Sequence, residues 1–233
     1  MQATATKRIA ERYVGPLNES ETAQAIAAVR ANVSELVSAA DALADAGIYS
    51  KSCALSILAV EESQKVSMLL SLLYADTPDE QREIWKEFRN HRKKHINLGL
   101  DIASSAVLEG TIAPEEAAVA LKAKEGPDPD TLEELKQALI YCDCITDAQG
   151  LPQWSCPVDI SEHAEADAKR LLESARESAA HLYPFSEDEL RVWKRHMAPV
   201  RFSPLKEQLE HMKECEVELQ QLGLPIPKRL QKL

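Results

Sequence analysis

Apolar residues recur at three- and four-residue steps through three consecutive stretches of this chain, a period that admits little besides α-helix. After the Ser20/Thr22 region, Ala25, Ala28, Val29, Val33, Leu36 and Val37 carry the pattern to Gly47, a natural helix stop. A second pattern runs from Tyr49 to Tyr74. Thr77-Pro78, with acidic residues behind it, reads as a cap followed by proline at the first helical position, and it opens a third helix expected to reach about Glu109. Three long helices in succession predict an up-and-down bundle. With only 7 glycines and 5% aromatic residues in 233, the chain lacks what an all-β protein needs for its turns and strands.

Downstream, Pro114 opens a shorter helix to about Lys124. The run Gly126-Pro127-Asp128-Pro129-Asp130 breaks the chain before another helix from Thr131 to about Tyr141. A loop is expected around Gly150, Pro152, Trp154 and Pro157, after which residues 159 to 182 regain helical periodicity and complete the bundle. Pro184 marks its end. The expected organisation is an N-terminal segment (1–20), an all-α bundle (21–184) and a C-terminal helical appendage (185–233). The appendage has two short amphipathic stretches and a basic tail, Lys228, Arg229 and Lys232.

The charge balance of 27 basic against 38 acidic residues, −11 in sum, disfavours unspecific attraction to nucleic acid or anionic lipid and leaves room for a local basic patch. The best apolar run, Ala54 to Val60, stops at Glu61, short of the roughly 18 residues of a spanning helix. The opening MQATATKRIAERYV has no apolar segment of secretory type, so a cytoplasmic protein without a membrane partner is expected. Five cysteines without framework spacing suit reduced thiols. Cys142, Cys144, Cys156 and His163 lack the paired spacing of a zinc site, and none is assigned there.

Charges interrupt two of the apolar stripes. Leu55, Leu58, Glu62, Lys65, Leu69 and Leu72 are spaced 3, 4, 3, 4, 3, so Glu62 and Lys65 point where leucines point, with Glu61 beside them. Charges enter a core only when paired, which makes these residues either a structural ion pair that fixes register or the supporting shell of a site. On the third helix, Ile84, Phe88, His91, His95, Leu98 and Ile102 are spaced 4, 3, 4, 3, 4, which sets two histidines in an apolar stripe. Around them Arg89, Arg92, Lys93 and Lys94 form a cluster of +4. Such a run is either a solvated face or a place where cations hold a phosphodiester and an imidazole moves protons near neutral pH. On a continuous helix Arg89 and His95 would differ by about 120° in direction and about 9 Å in height, so only a substrate lying between them could meet both. His91 and His95, four apart, share a face that could hold a metal, but no HExxH or ExxH accompanies them.

In these motifs the chain resembles the HEPN superfamily, and within it the AbiV-type abortive infection proteins of bacterial phage defence. The HEPN ribonuclease motif pairs an arginine, commonly followed by a polar residue, with a histidine after four to six intervening positions, matched here by Arg89, Asn90 and His95 with five residues between arginine and histidine. The AbiV-like features are Glu61-Glu62-Ser63-Gln64-Lys65, then Phe88-Arg89-Asn90-His91, then Tyr141-Cys142-Asp143 before a Trp/Pro loop, over roughly residues 24 to 182. The resemblance implies a bundle that forms a homodimer with the motif helices adjacent, and metal-independent RNA cleavage by a toxin that shuts down translation. In that scheme His95 is the general base on a ribose 2′-hydroxyl, with His91 able to replace it or act as acid, and Arg89 stabilises the phosphoryl oxygens. Asn90 positions substrate or His95; Arg92, Lys93 and Lys94 bind RNA; Glu61, Glu62 and Lys65 form the supporting shell. No metal or organic cofactor is needed, because RNA supplies its own nucleophile. A phage protein as trigger or inhibitor is a further expected partner. The competing readings are a non-catalytic HEPN-like protein that binds RNA, a ribosomal component or a phage protein, and a bundle whose polar layer is purely structural.

Overall fold

The computed structural model describes residues 13–90, 136–140, 143–146, 152–155 and 164–226; the side chains of 143–146, 152–155, 164 and 205 are outside the described set. Helix α1 (Glu19–Asp45) begins one turn earlier than the apolar period implies, because Asn18 caps it. The Asn18 side chain accepts from the Glu21 amide at 2.8 Å and the Glu21 carboxylate accepts from the Asn18 amide at 2.9 Å, a reciprocal capping box. The helix stops at Gly47 as expected. With φ of +75°, Gly47 lets its own amide reach Ala44 O (3.0 Å) and the Ile48 amide reach Leu43 O (2.8 Å), which satisfies two carbonyls of the last turn.

The apolar run from Tyr49 to Tyr74 folds as two helices, α2 (Tyr49–Ser63) and α3 (Lys65–Tyr74), joined at Gln64. Serine hydroxyls account for the interruption: Ser63 Oγ donates to Val60 O at 2.7 Å and Ser67 Oγ donates to Gln64 O at 2.8 Å, engaging carbonyls that serve the helical ladder. Helix α4 (Pro78–Phe88) has the Thr77 cap and first-turn proline read from the sequence, yet it ends at Phe88 instead of continuing toward Glu109. Its last bonds are three-residue closures, from the Arg89 amide to Lys86 O (3.3 Å) and from the Asn90 amide to Glu87 O (2.8 Å). His91 and His95, expected on the stripe of Phe88, lie outside the described residues.

Helix α5 (Ala164–His181) lies within the predicted 159–182 segment. Helices α1, α2 and α5 pack side by side, with α3 against α1 and α4 against α3. The main core joins Ile26, Val29 and Val33 of α1, Ala59 and Val60 of α2, Leu69, Leu72 and Leu73 of α3, Trp85 of α4 and Ala175 of α5. A helical stretch at 136–140 inserts Leu139 against Cys53, Ala54 and Ile57 of α2 and Ala168 of α5. The all-helical plan holds with one addition: β1 (Asp143–Thr146) and β2 (Pro152–Ser155) form a small antiparallel hairpin in the region expected to be loop, with Cys144 opposite Trp154. Pro152 stands at the start of its strand, where a missing amide donor is tolerated.

After Pro184 come α6 (Glu187–Met197), a 3₁₀ turn (Ala198–Val200) and α7 (Leu205–Gln221), the two amphipathic stretches of the appendage. Val192, Trp193 and Met197 of α6 enclose a second core with Val200 and with Cys215 and Leu219 of α7, to which Tyr74 of α3 also contributes. Ion pairs tie this layer to the bundle: Lys194 to Glu19 at 3.1 Å, and Arg201 to Asp76 at 3.0 Å and Glu80 at 3.2 Å. Among the described residues, no helix is long and apolar enough to cross a membrane.

Candidate functional site

Of the residues predicted to carry chemistry, Arg89, Asn90, Glu61, Glu62 and Lys65 lie in the described structure; His91, Arg92, Lys93, Lys94 and His95 lie outside the described residues. Arg89 sits at the exit of α4, where its guanidinium stacks over the Trp85 ring at 5.3 Å and donates to Tyr13 O at 2.6 Å. Trp85 is in turn bolted to the same N-terminal strap, since its indole N–H donates to Gly15 O at 2.8 Å and Tyr13 meets it edge-on at 6.1 Å. The motif arginine is thus oriented by an aromatic face and by a carbonyl from 76 positions upstream.

The stacking continues into the EExxK helix. Trp85 and Phe88 meet edge-to-face at 5.2 Å, and Lys65 Nζ stands 5.0 Å from the Phe88 centroid. Lys65 also pairs with Glu62, whose other carboxylate oxygen accepts from Asn32 Nδ2 at 2.8 Å. Glu62, Lys65, Phe88, Trp85 and Arg89 therefore form one contiguous ladder of charges and rings across α2, α3 and α4. The spacing of the apolar residues puts Glu62 and Lys65 on a core stripe; they occupy its rim, with side chains 18% and 19% exposed. The break at Gln64 separates the two residues onto different helices and accounts for that shift.

The fully buried acid is Glu61, the neighbour of that stripe. Its carboxylate is 1% exposed and accepts from Lys136 Nζ at 2.8 Å, on a side chain 4% exposed. Both charges are out of water, where removing one partner is far more damaging than the pair is stabilising. Lys136 had a signal of its own: Leu132, Lys136 and Leu139 are spaced 4 and 3, which puts a lysine on the apolar stripe of its helix. Nearby, Lys51 of α2 donates to Leu139 O at 3.1 Å and to Ile140 O, neutralising the carbonyl end of the 136–140 stretch. The arrangement pins this stretch against α2.

Chemically, the described half of the site offers a prepositioned guanidinium beside exposed Asn90, with an ordered, paired shell behind it. Such a donor suits the non-bridging oxygens of a phosphodiester. No curated protein and no solved structure matches the chain. The AbiV family, of HEPN type, matches residues 21–180, a span that takes in nearly all of α1, α2 to α4, the Arg89 exit, Lys136 and nearly all of α5. With more than half of its length so matched, the chain belongs to the AbiV family of HEPN proteins.

Proposed function

We propose that the protein is an abortive-infection effector that cuts RNA without a metal, through Arg89 and His95 at the interface of two copies. The observation that carries this reading is Arg89 itself: within a chain of HEPN type, the motif arginine leaves α4 already oriented by Trp85 and Tyr13. In the proposed step His95 removes the proton of a ribose 2′-hydroxyl, the 2′-oxygen attacks phosphorus, and the bond to the 5′-oxygen breaks with proton return from His91 or water. The products are a 2′,3′-cyclic phosphate and a 5′-hydroxyl. Arg89 stabilises charge on the phosphoryl oxygens, Asn90 positions the substrate, and Arg92, Lys93 and Lys94 hold the flanking backbone.

A second reading rests on the same arginine. Its guanidinium is engaged by a backbone carbonyl and a ring, which suits a non-catalytic protein that binds RNA, a ribosomal component or a phage protein. Purified protein incubated with total RNA in EDTA separates the two. Cleavage that persists in chelator and disappears in both Arg89→Ala and His95→Ala supports the nuclease. Growth arrest by the wild type with intact RNA, retained by His95→Ala, supports the binding protein.

A further inference from the structure

The interface between α6 and α7 places three metal-ligating side chains together, outside the span matched by the family. His196 of α6 and His211 and Glu214 of α7 bring one ligand atom each to within 4.8 Å of one another. Glu214 Oε2 stands 3.8 Å from His196 Nδ1 and 3.8 Å from His211 Nδ1, too far to be a hydrogen bond to either. His211 Nδ1 is buried and has no hydrogen-bond partner. An orphaned imidazole nitrogen facing a carboxylate and a second imidazole is what a cation site looks like before the cation arrives.

The tautomer of His196 points the same way. Its Nε2 lies 2.8 Å from Glu218 Oε2, and Arg195 pairs with the other oxygen of that carboxylate. An ionised carboxylate only accepts, so Nε2 carries the proton and the lone pair of the neutral ring is on Nδ1, facing Glu214 and His211. A carboxylate that orients a ligating imidazole from behind is a recurrent partner of bound zinc. Ligand atoms around a tetrahedral ion with bonds of about 2.1 Å are separated by about 3.4 Å, so the two 3.8 Å separations from Glu214, and three ligand atoms within 4.8 Å of one another, need side-chain rotations to close on an ion.

We infer that His196, His211 and Glu214 bind one Zn²⁺ ion, with Glu218 as the group that orients His196, and that the ion clamps α6 to α7. Two imidazoles and one carboxylate suit zinc over magnesium or calcium, which favour all-oxygen shells. A water fills the fourth position, because Glu214 is exposed and the site opens on that side.

The test is calorimetric titration of the metal-stripped full chain with ZnCl₂, paired with thermal melting. The expected result is one equivalent bound by the wild type that is lost or weakened at least 30-fold in both His211→Asn and Glu214→Gln. Glu218→Gln should weaken it about tenfold, and His91→Asn and His95→Asn should leave it unchanged. Glu214 is 63% exposed, so its variant keeps the fold even if His211→Asn does not. Zn²⁺ should raise the melting temperature of the wild type and leave that of Glu214→Gln unmoved. Absence of saturable binding, or binding that Glu214→Gln does not diminish, would overturn the inference.

Discussion

Glu61 and Lys136, 75 positions apart in sequence, meet at 2.8 Å with side chains 1% and 4% exposed, and no other described pair of opposite charges lies so deep. The contact joins α2 to a segment that Leu139, Ile140 and the Lys51 caps also hold.

Removing one partner takes from the other, still buried, charge its ion pair. Lys136→Met is expected to lower unfolding stability by about 3–5 kcal/mol. Adding Glu61→Gln should restore a large part of that loss, since it removes the second buried charge as well. Denaturant titration of the two single variants and the double variant measures the coupling, and additive losses would show that the pair acts otherwise.

Arg89→Lys keeps the charge at the exit of α4 and loses the flat face that stacks on Trp85. RNA cleavage, if the proposed reaction holds, should fall at least tenfold in this variant, with stability changed by about 1 kcal/mol or less. Retention of full activity would mean that charge alone suffices there.

Acid should loosen the C-terminal layer before the bundle. The hydrogen bond from His196, aided by Arg195, holds the Glu218 carboxyl below its ordinary value of 4.5; a backbone hydrogen bond foremost, and Lys194 in addition, do the same for Glu19. A carboxyl whose folded pKa is depressed contributes stability that is present above its unfolded pKa and is lost as pH falls through the folded one. Hydrogen exchange of α6 and α7 followed from pH 7 down to pH 3 should show these amides losing protection ahead of those in α1 and α2.

Burial pushes the Cys53 thiol up to about 11 and the Cys215 thiol up to about 12. In a variant with Cys142, Cys144 and Cys156 changed to serine, neither remaining thiol should react with iodoacetamide at pH 8 until denaturant is added. Each acid ionises first in the unfolded chain, so stability should decline as pH rises above about 9.

Gly47→Ala places a side chain at φ of +75° and should cost about 1 kcal/mol in thermal or chemical unfolding, with no change in contacts elsewhere.

Periodicity made most of the bundle legible. The stops at Gly47 and Pro184 and the start at Thr77-Pro78 are local chemistry that does not depend on the rest of the chain. What periodicity could not register was competition inside a helix. Ser63 and Ser67 divert carbonyls at Gln64, and α4 ends at Phe88 in three-residue closures, whereas apolar spacing continues undisturbed through both places. That is why Glu62 and Lys65 were read as core residues and Glu61 as their neighbour, the reverse of their depths in the structure. Arg89 was found from a motif, but its partners were not. Tyr13 and Gly15 reach α4 through backbone carbonyls, which every residue owns and no sequence pattern marks. The site at His196 was missed because its ligands are drawn from two helices whose relative placement only packing decides.

The strap at residues 13–17 lies before the family span and the Arg201 brace lies after it. A fragment trimmed to residues 21–180 would keep every motif residue and lose the carbonyls that aim Trp85 and Arg89, the Leu182 carbonyl that accepts from Arg30, and the guanidinium that grips the start of α4. The shared family core is therefore smaller than the unit that holds its own motif in place. Inactivity of such a fragment would report on missing scaffolding, not on missing chemistry.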